Sequence, residues 1–313
     1  MKKISMVVPC YNEEGNVKLF FEDAINTYKG SKKYKLELIF VDDGSSDNTL
    51  TMLKEIAKTD KCSVRVISFS RNFGKESVIY AGLKAATGDY TVLIDADMQQ
   101  PPRMTLKMAE LLDSDKNIDC VCYYQDNRIE SKLMSSVKSC FYKIMNKMSD
   151  VEVKQGASDF RMFRKNVREA LVSLEERCRF TKGMFSWVGF KTSYLPYTPL
   201  ERASGTSKWT PYKLFKYALE GIVSFSTKPL KLATLLGFLL SLLAIIYLII
   251  VLIQKLFIGI SIPGYPTIIS LILLIGGIQL FCIGIIGEYI SRIYMESKAR
   301  PIYIVKEDIK NDK

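Results

Sequence analysis

Through the first hundred residues, short β-branched runs alternate with longer segments whose apolar positions recur at helical spacing. "ISMVVPC" (4–10), "LELIFVDD" (36–43), "VRVISFS" (64–70) and "YTVLIDA" (90–96) have the length and composition of strands. Between them, "NVKLFFEDAINTYK" (16–29), "NTLTMLKEIAK" (48–58) and "KESVIYAGLKAAT" (75–87) have the spacing of helices. Strict alternation of this kind predicts βαβ units, hence a mostly parallel sheet with helices on both faces, an α/β fold. Ligands of such sheets bind beyond the carboxyl ends of the strands. Those ends carry the polar stretches "YNEEGN", "DDGSSDNT", "SRNFGKE" and "DADMQQ", which together outline one site.

Beyond residue 100 the pattern is less regular. "PPRMTLKMAELLDS" predicts a helix with proline in its first turn, and "IDCVCYY" a strand. Residues 180–209, with Trp187, Pro196, Pro199 and Gly205, are expected to form loop and short strands. The pattern then changes character. "LATLLGFLLSLLAIIYLIIVLI" (232–253) and "TIISLILLIGGIQLFCIGIIG" (267–287) carry no charged side chain. A helix of such length rises about 32 Å, the thickness of a bilayer's hydrocarbon layer, so both are expected to be transmembrane helices. Lys228 and Lys231 precede the first span, and Arg292, Lys298 and Arg300 follow the second, while the connecting loop holds a single Lys. Positive charge favours the cytoplasmic side, which predicts a multi-pass protein of the cytoplasmic (inner) membrane with both termini cytosolic. The start "MKKISMVVPCYNEE" has too short an apolar run for a secretory signal. Four parts result: a cytosolic catalytic domain (1–209), a juxtamembrane amphipathic segment (210–231), two spans (232–290) and a cytosolic C-terminal tail (291–313).

Composition sharpens the chemistry. The net charge is +11, from 44 basic and 33 acidic residues. The basic residues clustered at 202–231, just ahead of the first span, favour anionic headgroups of a membrane bilayer over nucleic acid. Seven scattered cysteines show no metal-ligand or redox spacing. Histidine is absent, which excludes an imidazole base, a Ser-His triad and His-ligated zinc. Acid–base and metal work must fall to carboxylates.

Asp95 and Asp97, two residues apart at a strand end, share one face of an extended chain at a separation of about 6.6 Å. Two such carboxylates supply half a shell for Mg2+ or Mn2+, leaving room for substrate phosphates, or else one of them caps the next helix. Asp42 and Asp43 close the second strand ahead of Gly44, where a carboxylate can accept hydrogen bonds from a base or a ribose and Ser46 or Asp47 can cap the next helix. Arg71 and Lys75 are candidates to meet phosphate charge, or to be solvated charges at a helix start.

The stretches "VVPCYNEEGNV", "FVDDGSSDNT", "SRNFGKE", "DADMQQPP", "ASDFRMF", "RASGTSKW" and "FSTKPL" occur in this order ahead of two spans. As a set they resemble the family 2 glycosyltransferases, and within them the polyprenyl-phosphate hexosyltransferases related to dolichyl-phosphate mannose synthase. The resemblance covers about residues 4–300. It implies a GT-A-type, Rossmann-like domain that binds a nucleotide-sugar donor and transfers a hexose, with inversion, to a polyprenyl phosphate such as undecaprenyl phosphate for cell-envelope glycosylation. The donor site it implies takes in Pro9, Tyr11, Asn12, Glu13, Asp42, Asp43, Arg71, Lys75, Asp95 and Ala96. Asp95 and Asp97 are the implied ligands of Mg2+ or Mn2+, and Gln99 lies near the sugar. Asp159 matches the family's presumed base. An acceptor phosphomonoester is already largely dianionic at neutral pH, so Asp159 is expected to orient substrate more than to take a proton. Arg128, Lys132, Arg161, Arg202 and Lys208 are the implied cations for acceptor phosphate and diphosphate. The chain departs from the family at Gln100 and Arg103, where relatives often carry acids, and at Ser158, where they carry glycine.

Two other readings compete. A processive polysaccharide synthase would carry a QxxRW segment and further spans, and neither is present. An idle scaffold that recruits a flippase has no need of Asp43, Asp95, Asp97, Asp159 and Arg202. A flippase remains a candidate partner, and Gly277, Gly284 and Gly287 suit close packing of spans, within one chain or in a homo-oligomer.

Overall fold

The structure, a computed structural model, describes residues 1–125, 154, 156–198, 221–257 and 264–311. Eight strands form one sheet: β1 (Lys2–Cys10), β2 (Tyr34–Asp42), β3 (Ser63–Phe69), β4 (Tyr90–Leu93), β5 (Cys120–Gln125), β6 (Ala157–Arg164), β7 (Thr192–Tyr197) and β8 (Val305–Lys310). Their spatial order is β7-β5-β6-β4-β1-β2-β3-β8. The centre, β4-β1-β2-β3, is parallel throughout. β6 runs antiparallel to both β4 and β5, and β8 antiparallel to β3.

The parallel centre arises from apolar runs that must be covered on both faces. Along β1, Ile4, Met6 and Val8 point into one core layer and Val7 into the other. The first layer is closed by α1 (Val17–Tyr28), α2 (Thr49–Ala57) and α4 (Met104–Ser114). Helix α1 buries Val17, Phe20, Phe21, Ala24 and Tyr28, one stripe at helical spacing, and Phe20 meets Phe40 edge-on at 6.2 Å. The second layer is closed by α3 (Lys75–Ala85), α5 (Lys165–Ser173) and α6 (Thr181–Trp187). Helix α3 lies against β1 because Gly82 has no side chain: a Cβ there would stand 2.2 Å from Val7 Cγ1.

Two expectations need correction. Residues 181–187, expected as loop, form helix α6, and β7 follows it. The segment expected to be a plain tail returns to the sheet as β8. There Asp308 takes a bidentate pair from Arg65 (2.7 and 2.9 Å), Lys54 meets Glu307 at 2.7 Å, and Tyr303 stacks on Phe69.

The C-terminal helices α7 (Lys228–Phe257) and α8 (Tyr265–Ser297) are longer than the apolar runs alone. Both are long and apolar enough to cross a membrane, and Leu243, Leu273 and Leu280 stand exposed on them. The foot of α8 is tied to the sheet domain. Glu296 accepts hydrogen bonds from the backbone N–H groups of Arg177 (2.7 Å) and Cys178 (3.1 Å) and pairs with the Arg177 guanidinium at 3.2 Å. Arg292 donates to Ser224 at 2.6 Å. The proposed amphipathic segment lies mostly outside the described residues.

At the sheet edge remote from the loops described below, Asp113 of α4 accepts from Tyr34 and Tyr90, both at 2.6 Å, and from Lys2. Burial works against its charge, but these three donors prevail and hold its carboxyl down at about 2. An unfolded aspartate titrates near 3.9, so the stabilisation is present above about pH 4 and lost as pH falls through about 2. Asp113→Asn should therefore melt below wild type at pH 7, and thermal scans in detergent should show that gap closing towards pH 2.

Candidate active site

The carboxyl ends of β1, β2, β3 and β4 lie along one edge, and the loops leaving them are knitted together by side chain to backbone bonds. After β1, Asn12 sits at φ 54°, and its side-chain oxygen accepts from the Ser46 N–H at 2.9 Å while its own N–H donates to Ser45. The Glu13 N–H donates to Thr49, and Glu14 accepts from the Asn48 N–H at 3.0 Å. Asp47 accepts from the Thr49 N–H, but the N-cap position of α2 is Asn48, which makes no side-chain cap bond, so neither Ser46 nor Asp47 is the expected N-cap residue. Tyr11 stands exposed on the rim, and Pro9 lines the cleft floor.

Both acids after β2 face inward. Asp42 accepts from Ser68 at 2.8 Å and from the Ser45 N–H. Asp43, 3 % exposed, accepts from the N–H groups of Phe73 (2.7 Å) and Gly74 (3.0 Å), which fixes the β3–α3 loop. Burial raises the Asp43 carboxyl despite those two donors. Gly44 turns at φ +66° with the Arg71 backbone so close that a Cβ would lie 2.6 Å from its carbonyl carbon. Arg71 is exposed and covers the Phe73 ring at 4.2 Å.

Asp95 and Asp97 do not lie on an extended strand. Strand β4 ends at Leu93, and residues 95–100 form a turn in which Met98 takes φ 60°. Asp97 is half-buried and accepts from the Gln99 N–H at 3.1 Å, so the turn, not a pleat, aims it. Ala96 is buried beneath the turn.

Strand β6 pairs antiparallel with β4 in the register Leu93↔Arg161. Two residues after Leu93 and two before Arg161, Asp95 and Asp159 both reach one cation. The cation between them is Lys75, the first residue of α3. Its Nζ lies 2.8 and 2.9 Å from the two Asp95 oxygens and 3.2 Å from Asp159. Lys182 of α6 approaches the other Asp159 oxygen at 3.9 Å. Burial opposes the charge on Asp159, but Lys182, Lys75 and Arg161 overturn it and hold this carboxyl far below the usual carboxylate range. Burial likewise opposes the Lys75 charge, and Asp95 and Asp159 hold it above the lysine range. Arg161 is buried against the Phe185 ring at 4.1 Å and donates to the Ser158 carbonyl, with its Nε unpartnered.

Sequence reasoning missed Lys182 and Glu76. Glu76, next to Lys75, accepts from the Thr181 N–H at 2.9 Å and from its hydroxyl, which seats α6 beside α3. The only signal was the helix-compatible stretch "TKGMFSW", too short to stand out from a loop. The departures at 100 and 158 also find partners: Gln100 donates to Tyr197 of β7 at 2.9 Å, and Ser158 donates to the Tyr123 carbonyl at 2.9 Å. Arg128, Lys132, Arg202 and Lys208 lie outside the described residues. A second cavity of about 330 Å³ opens where domain and spans meet, lined by Glu176, Trp187, Ser224, Phe225 and Tyr289 among others. Helix α6 thus carries Lys182 near one end and Trp187 at the other.

Among the described residues no third His, Cys, Asp or Glu converges with Asp95 and Asp97. Two carboxylates suit Mg2+ or Mn2+ when substrate phosphates complete the shell, so the donor set fits such an ion.

Paired acids and lysines at the carboxyl edge of a doubly wound sheet suit a phosphorylated ligand such as a nucleotide sugar. Residues 5–172 match the model of glycosyl transferase family 2, and residues 228–293 match the GtrB C-terminal hairpin. The chain belongs to glycosyl transferase family 2 and is a glycosyltransferase. It is 44 % identical to CsbB of Bacillus subtilis (strain 168), named provisionally as a glycosyltransferase, over 97 % of this chain and 91 % of that one. It is 38 % identical to the prophage bactoprenol glucosyl transferase homolog of Escherichia coli (strain K12), over 97 % and 98 %. The bactoprenol glucosyl transferase of Shigella phage SfV is also 38 % identical, over 98 % and 99 %.

Gly44→Ala forces a side chain into the Arg71 backbone at positive φ. It should cost about 2 kcal/mol of stability, read by denaturant melting, and weaken nucleotide binding through the displaced β3–α3 loop.

Proposed function

We propose that the protein transfers one hexose from a nucleoside-diphosphate sugar, UDP-linked, to undecaprenyl phosphate at the cytosolic leaflet, with inversion at the anomeric carbon. The observation that carries the reading is the Lys75–Asp95–Asp159–Lys182 cluster at the carboxyl edge of the sheet, in a chain that carries a hairpin of two helices long and apolar enough to cross a bilayer. Relatives named for glucosyl transfer to bactoprenol support glucose as the sugar and the polyprenyl phosphate as acceptor. The product is a lipid-linked sugar for cell-envelope glycosylation, handed onward by a flippase.

The donor's base and ribose would lie over the β1 and β2 loops, with Tyr11 as stacking surface and the Asn12–Ser46 knit keeping the rim in shape. The diphosphate would then reach the Asp95–Asp97 turn and the Lys75 ammonium. A divalent ion held by Asp95 and Asp97 supplies neutralisation of the charge that develops on the departing diphosphate.

The acceptor would enter from the junction cavity, its chain near Trp187 and Tyr289 and its phosphate towards Lys182. Along α6 the five-residue step from Lys182 to Trp187 rises about 7.5 Å, a separation that the phosphate together with the first carbons of its chain would cover. Attack by a phosphate oxygen on the anomeric carbon, opposite the leaving diphosphate, inverts that carbon. A phosphomonoester with its second pKa near 6 needs no general base at neutral pH. Asp159, held ionised far below that value by its cationic neighbours, keeps Lys75 and Lys182 in position.

The deciding experiment incubates the purified full chain in detergent with undecaprenyl phosphate and labelled UDP-glucose, UDP-galactose, UDP-N-acetylglucosamine or GDP-mannose, with and without EDTA. One labelled lipid carrying a single sugar, lost with EDTA and with Asp95→Asn, is expected. A ladder of products would replace this reading with a processive synthase, and no transfer from any donor would end it. Asp159→Asn should lower turnover on the order of 100-fold while the acid limb of the rate profile stays at about pH 6, the acceptor's own titration. An acid limb that vanishes in this variant would instead make Asp159 the base.

A further inference from the structure

The Lys75 ammonium contacts both oxygens of Asp95 and one of Asp159, so a single side chain links the two acids at the centre of the site, with Lys182 on the far oxygen of Asp159. A divalent ion bound to Asp95 would sit about 2.1 Å from its oxygen, within the space that this ammonium commands. Two cations cannot share that carboxylate without strong repulsion. Lysine is suited to yield, being a compact charge on a flexible four-carbon stem. Its backbone need not follow, since the next residue, Glu76, is fastened to Thr181 of α6. The acids themselves offer an incoming ion only two carboxylates, because no third ligand converges on them among the described residues.

We propose that Lys75 is a resident counter-cation that keeps the divalent ion out until a nucleoside diphosphate arrives, and then moves its ammonium, still charged, from Asp95 to the diphosphate. Metal entry is thereby tied to donor entry. Displaced from Asp95, Lys75 finds its new partner in the phosphate oxygens, and those oxygens complete the ion's shell. Lys75 is on this account a positioning residue for the metal as well as a ligand of the leaving group. The inference rests on Asp95 and Asp97 being the metal ligands.

The test measures Mn2+ binding to the full chain in detergent by the electron paramagnetic resonance signal of free Mn2+, with and without UDP. Wild type should bind Mn2+ weakly alone and at least about ten-fold more tightly with UDP. Lys75→Met should bind Mn2+ without UDP about ten-fold more tightly than wild type, and its affinity for UDP in the absence of metal should fall. Lys75→Gln serves as a second neutral variant should Lys75→Met fail to fold, and Lys75→Arg, which keeps the charge, should retain the need for UDP. Neutral variants with wild-type Mn2+ affinity in the absence of UDP would overturn the proposal. Asp95→Asn separates the two levels: if it leaves Mn2+ binding intact, the assignment of the metal ligands itself fails, whereas Asp95-dependent binding that ignores Lys75 sinks only the present inference.

Discussion

One carboxylate from the segment that follows β4 and one from antiparallel β6 meet at the edge of one sheet, and a cation between them is what makes that meeting tolerable. The antiparallel register of β6 on β4 brings Asp159 near Asp95, and the ammonium of Lys75 lies between them. Much of the surrounding structure serves this contact. Gly82 lets α3 settle on β1. Asp43 ties down the loop that leads into α3. Glu76 seats α6, which delivers Lys182 to the far side of Asp159.

The same contact changes the chemical meaning of Asp159. An acid surrounded by Lys75, Lys182 and Arg161 holds its charge and has little tendency to accept a proton. On the proposed function the nucleophile arrives already ionised and a base is unnecessary, which leaves the carboxylates to arrange cations. Absence of histidine from the whole chain is consistent with that division of labour.

The central sheet was legible in the sequence because its strands are apolar on both faces and its helices carry clean stripes, as in Val17, Phe20, Phe21, Ala24 and Tyr28. The rim was legible for a related reason: Asp42, Asp43, Asp95 and Asp97 interrupt apolar runs where chain direction must change. What escaped was short or non-local. Helix α6 has seven residues and no side-chain cap, so nothing local separates it from a loop. Strand β8 exists only through partners more than two hundred residues away, such as Arg65 for Asp308. The geometry of the Asp95–Asp97 pair also eluded a pattern reading, since the alternation that suggested a strand stops at Leu93 and a left-handed Met98 takes over.

Strand β8 has a mechanical side. The described segment ahead of α7 packs Phe225 against Phe180, and the chain after α8 returns through Glu296 and then the β3 edge, so both ends of the hairpin contact the sheet domain. A globule hung from a single tether could swing and tumble over the bilayer. With the hairpin in a bilayer, as proposed, two moorings would restrict the height and tilt of the domain above the lipid, and the distance an isoprenoid headgroup must climb to reach the sugar would be set by the fold rather than by chance encounter.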